Sequence, residues 1–319
     1  MLLEVYILII SNTIFDANLI NENSFFICSV GYEDRSFFIL NELKKKLANR
    51  YIAFSFAEFT KSTDKPNRIY DEKLNLENTI DITYDDKEIF FNKIKALITE
   101  LKDRQTRIEL HIDYSYMPRL WYCKLPAFLS ELLSQEDKVF FWYSEGKYQK
   151  NIKEYPTAGI DSFLYFSGTP SLRTNHKRTH LLSLSYDTIR TEGIISILDP
   201  ENFISCCAYD SDSADIKDSV SKINKSIISR SKMCVYTHLD DFQLMLSKLC
   251  EVANDFCQLG DVIIIPDGPK PLIFAMSLIP TFLNKHGIIC MQITRTNRNT
   301  TPINVKPNGK VVGFSIFQN

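Results

Sequence analysis

Short apolar runs alternate with amphipathic stretches along almost the whole chain. Residues 24–30 are apolar without clean alternation, which predicts a strand buried on both faces. A helical stretch through Leu47 follows, then a strand over 51–56. The polar segment 61–78 predicts a loop with some helix, and 79–83 another strand. Asp85-Asp86 suits a helix start, and Ile89, Phe90, Ile94, Leu97, Ile98 and Leu101 then recur at helical spacing. Residues 108–112 predict a strand, 118–133 a helix and 139–143 a strand. The order then repeats. Strands are expected over 181–184, 203–209, 233–237, 262–265 and 288–293, with helices over 189–198, 241–256 and 271–282. Two aromatic tails opened by glycine, 159–166 and 309–317, predict an edge strand or hairpin at the end of each copy, and the apolar start 1–10 an additional strand.

The repetition has a register. Ser29 matches Ser183, Tyr32 matches Tyr186 and Asp113 matches Asp267 at an offset of 154, and Leu125-Pro126 falls on Ile279-Pro280 at the same offset. Asp85-Asp86 meets Asp240-Asp241 at 155 and Gly159 meets Gly309 at 150, so the drift is small. Alternating strands and helices with buried strands predict an α/β fold of two tandem, duplicated Rossmann-like domains. Each would be a mostly parallel sheet with helices on both faces. The expected limits are 1–170 for the first domain, 171–179 for a linker around Gly168-Thr169-Pro170-Ser171, and 180–319 for the second.

Composition narrows the function classes. With 319 residues, 45% hydrophobic and 24% charged, the chain can fill two cores. A net charge of -2 excludes a general attraction to nucleic acid, so any anion must be held by a local arrangement. The eight cysteines include no Cys-x-x-Cys and mostly sit in apolar stretches, and the five histidines lie far apart. That pattern fits reduced core cysteines in a cytoplasmic protein without a zinc site. The apolar start carries Glu4, lacks a basic leader and is too short to cross a bilayer, so no membrane association is expected. Gly-x-Gly-x-x-Gly, Walker A and Gly-x-Ser-x-Gly motifs are all missing, which leaves the cofactor unknown and offers neither a metal nor a dinucleotide motif.

In a doubly wound sheet, ligands bind beyond the carboxyl ends of the strands where strand order reverses. After the first strand this edge receives Ser29, Gly31, Tyr32, Glu33, Asp34, Arg35 and Ser36 in one copy, and Ser183, Ser185, Tyr186, Asp187 and Arg190 in the other. After the fourth strand come Asp113, Ser115 and Arg119, against Asp267, Gly268 and Lys270; after the fifth, Tyr143, Ser144 and Lys147, against Thr294 and Arg295. Unpaired amides at a helix N-terminus favour an anion, although Glu33 and Asp34 would equally serve as helix caps. Asp267-Gly268-Pro269-Lys270 could hold a ribose hydroxyl and a phosphate, or be a turn that leads into a helix. Gly31 faces Ser185 in the repeat and Gly268 faces Tyr114, so each copy keeps one glycine loop, which suggests a composite site with the matched polar positions facing each other.

The stretch Ile265-Pro266-Asp267-Gly268-Pro269-Lys270-Pro271-Leu272 resembles the strand-Asp-x-x-x-helix element of CARF domains, and the duplicated plan is similar to the fused pair called SAVED. The resemblance implies a sensor of cyclic oligonucleotides, with paired units around one ligand and a place in prokaryotic defence. Its ligand loops would be 31–36, 113–115 and 267–270. The family often has Thr-Gly-Gly after the fourth strand, where this chain has Tyr114-Ser115-Tyr116 and Gly268-Pro269-Lys270. Three readings stand at this point. One is a binding protein for a nucleotide or other phosphorylated ligand, with a protein partner or a second copy left open. Another is a phosphodiesterase or nucleotide-processing transferase with Asp113 or Asp267 as general base and Arg35 or Lys270 on the phosphate. The last is an adaptor that kept the fold without a ligand.

Overall fold

A computed structural model of the chain describes residues 8–56, 78–83, 85–147, 159–171, 177–209, 220–295 and 304–318. Residues 61–77 of the expected loop and 1–7 of the expected additional strand lie outside them. The chain divides into two compact units, Met1–Gln149 with Pro302–Asn319, and Lys150–Thr301.

The first unit is built on seven strands: β1 (Leu8–Ile14), β2 (Ser24–Val30), β3 (Tyr51–Phe56), β4 (Thr79–Ile82), β5 (Glu109–Asp113), β6 (Lys138–Lys147) and β13 (Lys306–Gln318). They lie in the order β1-β13-β6-β5-β2-β3-β4. The strands from β6 to β4 run parallel, while β13 is antiparallel to both β6 and β1. Its helices are α1 (Phe38–Leu47), α2 (Lys87–Arg104) and α3 (Arg119–Ser130). The second unit holds β7 (Ile160–Thr169), β8 (Lys177–Ser183), β9 (Asn202–Tyr209), β10 (Cys234–His238), β11 (Gly260–Ile265) and β12 (Ile288–Arg295), in the order β10-β9-β8-β11-β12-β7. Here β7 alone is antiparallel. Its helices are α4 (Thr188–Leu198), α5 (Lys225–Arg230), α6 (Phe242–Cys257) and α7 (Lys270–Leu283).

Numbering each parallel set from its first strand, both sheets read 3-2-1-4-5 with an antiparallel sixth strand beside strand 5, a doubly wound order whose reversal falls between strands 1 and 4. The duplicated Rossmann-like α/β fold is therefore present, and the reversal lies between β2 and β5 in one unit and between β8 and β11 in the other. The expected domain limits change. The tail of the first copy, β7, joins the second sheet through β12, and the tail of the second copy, β13, joins the first sheet through β6. Each copy thus lends its sixth strand to the other unit. The expected linker 171–179 already contains the start of β8 at Lys177. Nor is β13 an edge: β1 covers it, with Ile10 opposite Ile316 and Asn12 opposite Phe314.

Packing explains why β13 belongs where it is. Phe314 is 1% exposed and stacks on Phe141 with centroids 5.2 Å apart. Gly313 lies so close to the Trp142 ring that a Cβ there would collide with it. The interior of this unit is rich in aromatic rings, with Phe90 stacked on Trp121 at 4.4 Å and Phe54 edge-on to Phe90 at 4.7 Å. Ring pairs of this kind add about 0.5–1.5 kcal/mol each beyond their area. The core of the second unit is more aliphatic, built from Leu182, Leu184, Ile194, Ile227, Ile265 and Ile293 with Phe203.

Candidate functional site

The carboxyl edge of each sheet is described by itself. In the first unit β2 ends at Val30 and leads through Gly31, Tyr32 and Glu33 into a 3-10 turn, Asp34–Phe37, that runs on into α1. The amides that an anion would need here are already used within the chain. Gly31 N donates to Ser36 Oγ (3.2 Å), Asp34 N to Asn304 Oδ1 (2.9 Å), Arg35 N to Val305 O (3.2 Å) and Ser36 N to Glu33 O (2.9 Å). Arg35 is buried; its Nε pairs with Glu33 and its Nη1 donates to Tyr143 Oη at 3.0 Å. Its guanidinium carbon lies 5.6 Å from the centre of the Tyr143 ring. The need for glycine at 31 is steric, since a Cβ would enter the ring of Tyr116. Tyr32 packs edge-on to the same ring at 5.6 Å.

At the end of β5, Asp113 is 1% exposed and accepts from the backbone and hydroxyl of Ser115 through Oδ1. Ser115 Oγ in turn accepts from Ser144 N at 2.7 Å, tying β5 to β6. Burial first, and Asp113 second, push the Cys28 thiol well above its ordinary value. On the strands flanking β5, the hydroxyls of Ser29 and Ser144 are fully buried, with no hydrogen-bond partner among the described residues. A buried, unpaired hydroxyl is costly, and such groups mark places that recruit a polar guest.

The second unit handles the same positions differently. Asp187 caps α4, accepting from Arg190 N at 3.0 Å, and its other oxygen accepts from Arg190 Nη1 at 2.6 Å. Arg190 Nε donates to Asp267 Oδ2 at 2.6 Å, and Asp267 N donates to Ser183 Oγ. Arg190, Asp187 and Asp267 are all buried. Arg190 is engaged by two carboxylates and is not offered to a ligand, and a carboxylate held by a guanidinium is a poor general base. Local packing favours glycine at 268, because a Cβ there would sit 3.1 Å from Leu184 O, a tight contact. Tyr186 packs against the aliphatic core. Arg295 closes β12 opposite Ile160.

A similar element follows strand 4 in both units, through a longer loop in the first. In the first, the strand-end Asp113 is followed by Pro118 at the N-cap of α3 and Arg119 as its first residue. In the second, Asp267 is followed by Pro269 at the N-cap of α7 and Lys270 as its first residue. Neither helix start carries a side-chain cap. Both helices are long enough, at 12 and 14 residues, for their aligned dipoles to favour an anion. Arg119 and Lys270 are half-buried.

No family model and no curated protein matches the chain. Among solved structures, the chain is similar to a universal stress protein from Pseudomonas aeruginosa UCBPP-PA14, at 10% identity and a TM-score of 0.27, over 85% of this chain and 93% of that one. Similarity at that level adds nothing to the geometry above. Among the described residues, no three His, Cys, Asp or Glu side chains cluster as metal ligands, and no helix is long and apolar enough to cross a membrane.

A buried network that the sequence pattern did not reveal lies at the opposite edge of the first sheet. Trp142 Nε1 donates to His111 Nδ1 at 3.1 Å, and His111 Nε2 faces Glu109 Oε1 at 3.0 Å. Ser24 Oγ (2.7 Å) and Asn21 Nδ2 (3.1 Å) donate to the same carboxylate oxygen. An indole can only donate, so Nδ1 accepts and the ring proton sits on Nε2. Burial alone would raise the Glu109 pKa, but hydrogen bonds from His111, Ser24 and Asn21 hold it below the ordinary carboxylate value. The signal was present as Glu109-x-His111 alternating on one strand, but nothing in the sequence linked it to Trp142. Its contacts are all internal, which makes it a structural network.

Proposed function

We propose that the chain is a binding protein for a nucleotide or another phosphorylated small molecule, taken up at the carboxyl edge of its sheets beside strand 4. The observation that carries this reading is the recurrence, in both units, of an Asp at or just past the end of strand 4, a Pro-capped helix start without a side-chain cap, and Arg119 or Lys270 as the first helical residue. Capping alone calls for neither the Asp nor the cation twice. In the first unit the buried Ser29 and Ser144 hydroxyls supply further polar groups at the same edge. Binding is preferred to catalysis because Asp267 is held by Arg190 and Ser183.

The test is a thermal-shift and calorimetry panel of inorganic phosphate, mononucleotides and cyclic oligonucleotides. A ligand at 100 times its Kd raises stability by about 2.7 kcal/mol. Arg119→Gln or Lys270→Gln should weaken binding about ten-fold or more, the loss of one charge-assisted contact of about 1.5–3 kcal/mol. Binding confined to cyclic oligonucleotides would favour the sensor role that the CARF resemblance implies. A panel without any binder, or variants that bind like the parent chain, would reject the reading.

A further inference from the structure

Cysteines 207 and 234 lie 27 residues apart in sequence, yet their sulfurs are 3.7 Å apart in space. They sit on neighbouring strands, β9 and β10, and β10 is the edge of its sheet. The register pairs Tyr236 with Cys207 and Cys234 with Ser205, so the two cysteines are diagonal neighbours on one face, with Tyr236 on that face as well. Cys207 is 2% exposed, while Cys234 is half-buried at the rim beside the exposed Met233. The Tyr236 hydroxyl lies 3.4 Å from Ser221 Oγ. A donor thiol beneath and a tyrosine alongside form a polar cradle for one sulfur, in a protein whose other cysteines mostly pack as core residues.

The titration directions agree with that geometry. Burial raises the thiols of Cys28 and Cys206, and brings Cys250 to about 12. Cys234 moves the other way, lowered by its hydrogen bond with Cys207. Cys207 is raised, by the same hydrogen bond and then by burial.

We infer that Cys234 is a site of thiol modification by low-molecular-weight disulfides, with Cys207 as its resolving thiol. The Cys234 thiolate attacks one sulfur of the small disulfide; that S–S bond breaks and one small thiol leaves, taking up a proton. The mixed disulfide on Cys234 is then attacked by Cys207, which gives up its proton to solvent. The second small thiol leaves, and a Cys207–Cys234 bond remains. Two protein thiols are oxidised and one small disulfide is reduced to two thiols, so the exchange balances. With strands about 4.8 Å apart and a rise of about 3.3 Å per residue, diagonal neighbours have Cα atoms roughly 8 Å apart, beyond the usual disulfide span of about 4.4–6.8 Å. Closing the bond therefore draws the start of β10 inward, which an edge strand with a single neighbour permits.

The experiment exposes the reduced, full-length chain to glutathione disulfide and maps the products by peptide mass spectrometry, with fragmentation separating Cys206 from Cys207. Expected are the loss of two thiols per chain and a cross-link between Cys207 and Cys234. Cys234 should react at least about ten-fold faster than Cys257, a half-buried thiol that donates to His286 O. In Cys207→Ser the reaction should stop at a stable glutathione adduct on Cys234, and Cys234→Ser should give no cross-link. The mapping on the unaltered chain decides the matter even if a variant folds poorly. Modification of Cys257 before Cys234, or an adduct on Cys234 that never resolves in the parent chain, would overturn the assignment.

Discussion

Arg190 shows how a residue that looks like a ligand-binding cation can be a structural one. It is 8% exposed and bonds two carboxylates at 2.6 Å, so the three charges stabilise one another inside the protein. Removing Arg190 leaves two buried carboxylates without their cation. Arg190→Ala is expected to cost about 3–5 kcal/mol, read from urea denaturation. Loss of ligand binding with stability intact would instead assign Arg190 to the ligand. Two further residues set the response to acid. The Glu109 value in the folded chain lies below its unfolded value, so its stabilisation is complete above about pH 4.3 and lost as pH falls through the folded value. His180 is depressed, by burial first and then by Arg178. The unfolded chain therefore takes up that proton more readily, and stability falls as pH drops below about 6.5. Denaturation midpoints should decline in two steps on acidification, with the lower step flattened in Glu109→Gln and the upper in His180→Gln. A midpoint independent of pH would contradict both.

Elements were largely legible in the sequence because most carry their own periodicity. The apolar runs within β2 and β11 and the spaced Phe90, Ile94 and Ile98 of α2 announce buried strands and a helix packed on one face. The candidate edge was legible too, since Ser29, Arg35, Asp113 and Lys270 do lie at strand ends or helix starts. What periodicity does not encode is which groups satisfy each other. Nothing in the spacing of Asp187, Arg190 and Asp267 says that they form one buried cluster. Nor does the sequence say that the amides before α1 are taken by Asn304 and Val305, about 270 residues away. The glycines misled for the same reason. Gly31 and Gly268 read as loops open to a ligand, but a tyrosine ring and a backbone carbonyl fill the space beside them.

The scale at which the sequence was least informative is the whole molecule, because strand exchange preserves every local pattern. Both tails read as strands, and both are; only pairing shows that β7 and β13 have traded sheets. The sequence-based boundary therefore cuts the first unit from its own sixth strand. A fragment covering residues 1–170 should lack cooperative unfolding, because β6 loses the partner that stacks Phe314 on Phe141. A chain that joins residues 8–147 by a flexible linker to 304–318 should recover a cooperative melt by calorimetry. A cooperative melt of the 1–170 fragment alone would deny β13 this role.

Traded strands also set a timetable. As the chain leaves the ribosome, the second unit, 150–301, is complete before the first, which waits for its sixth strand until residues 306–318 emerge. Until then the aromatic flank of β6 has no cover, although domains ordinarily fold in the order of synthesis. Premature termination near residue 300 would therefore spare the later-made half and leave the earlier-made half open, a natural target for chaperones or proteases.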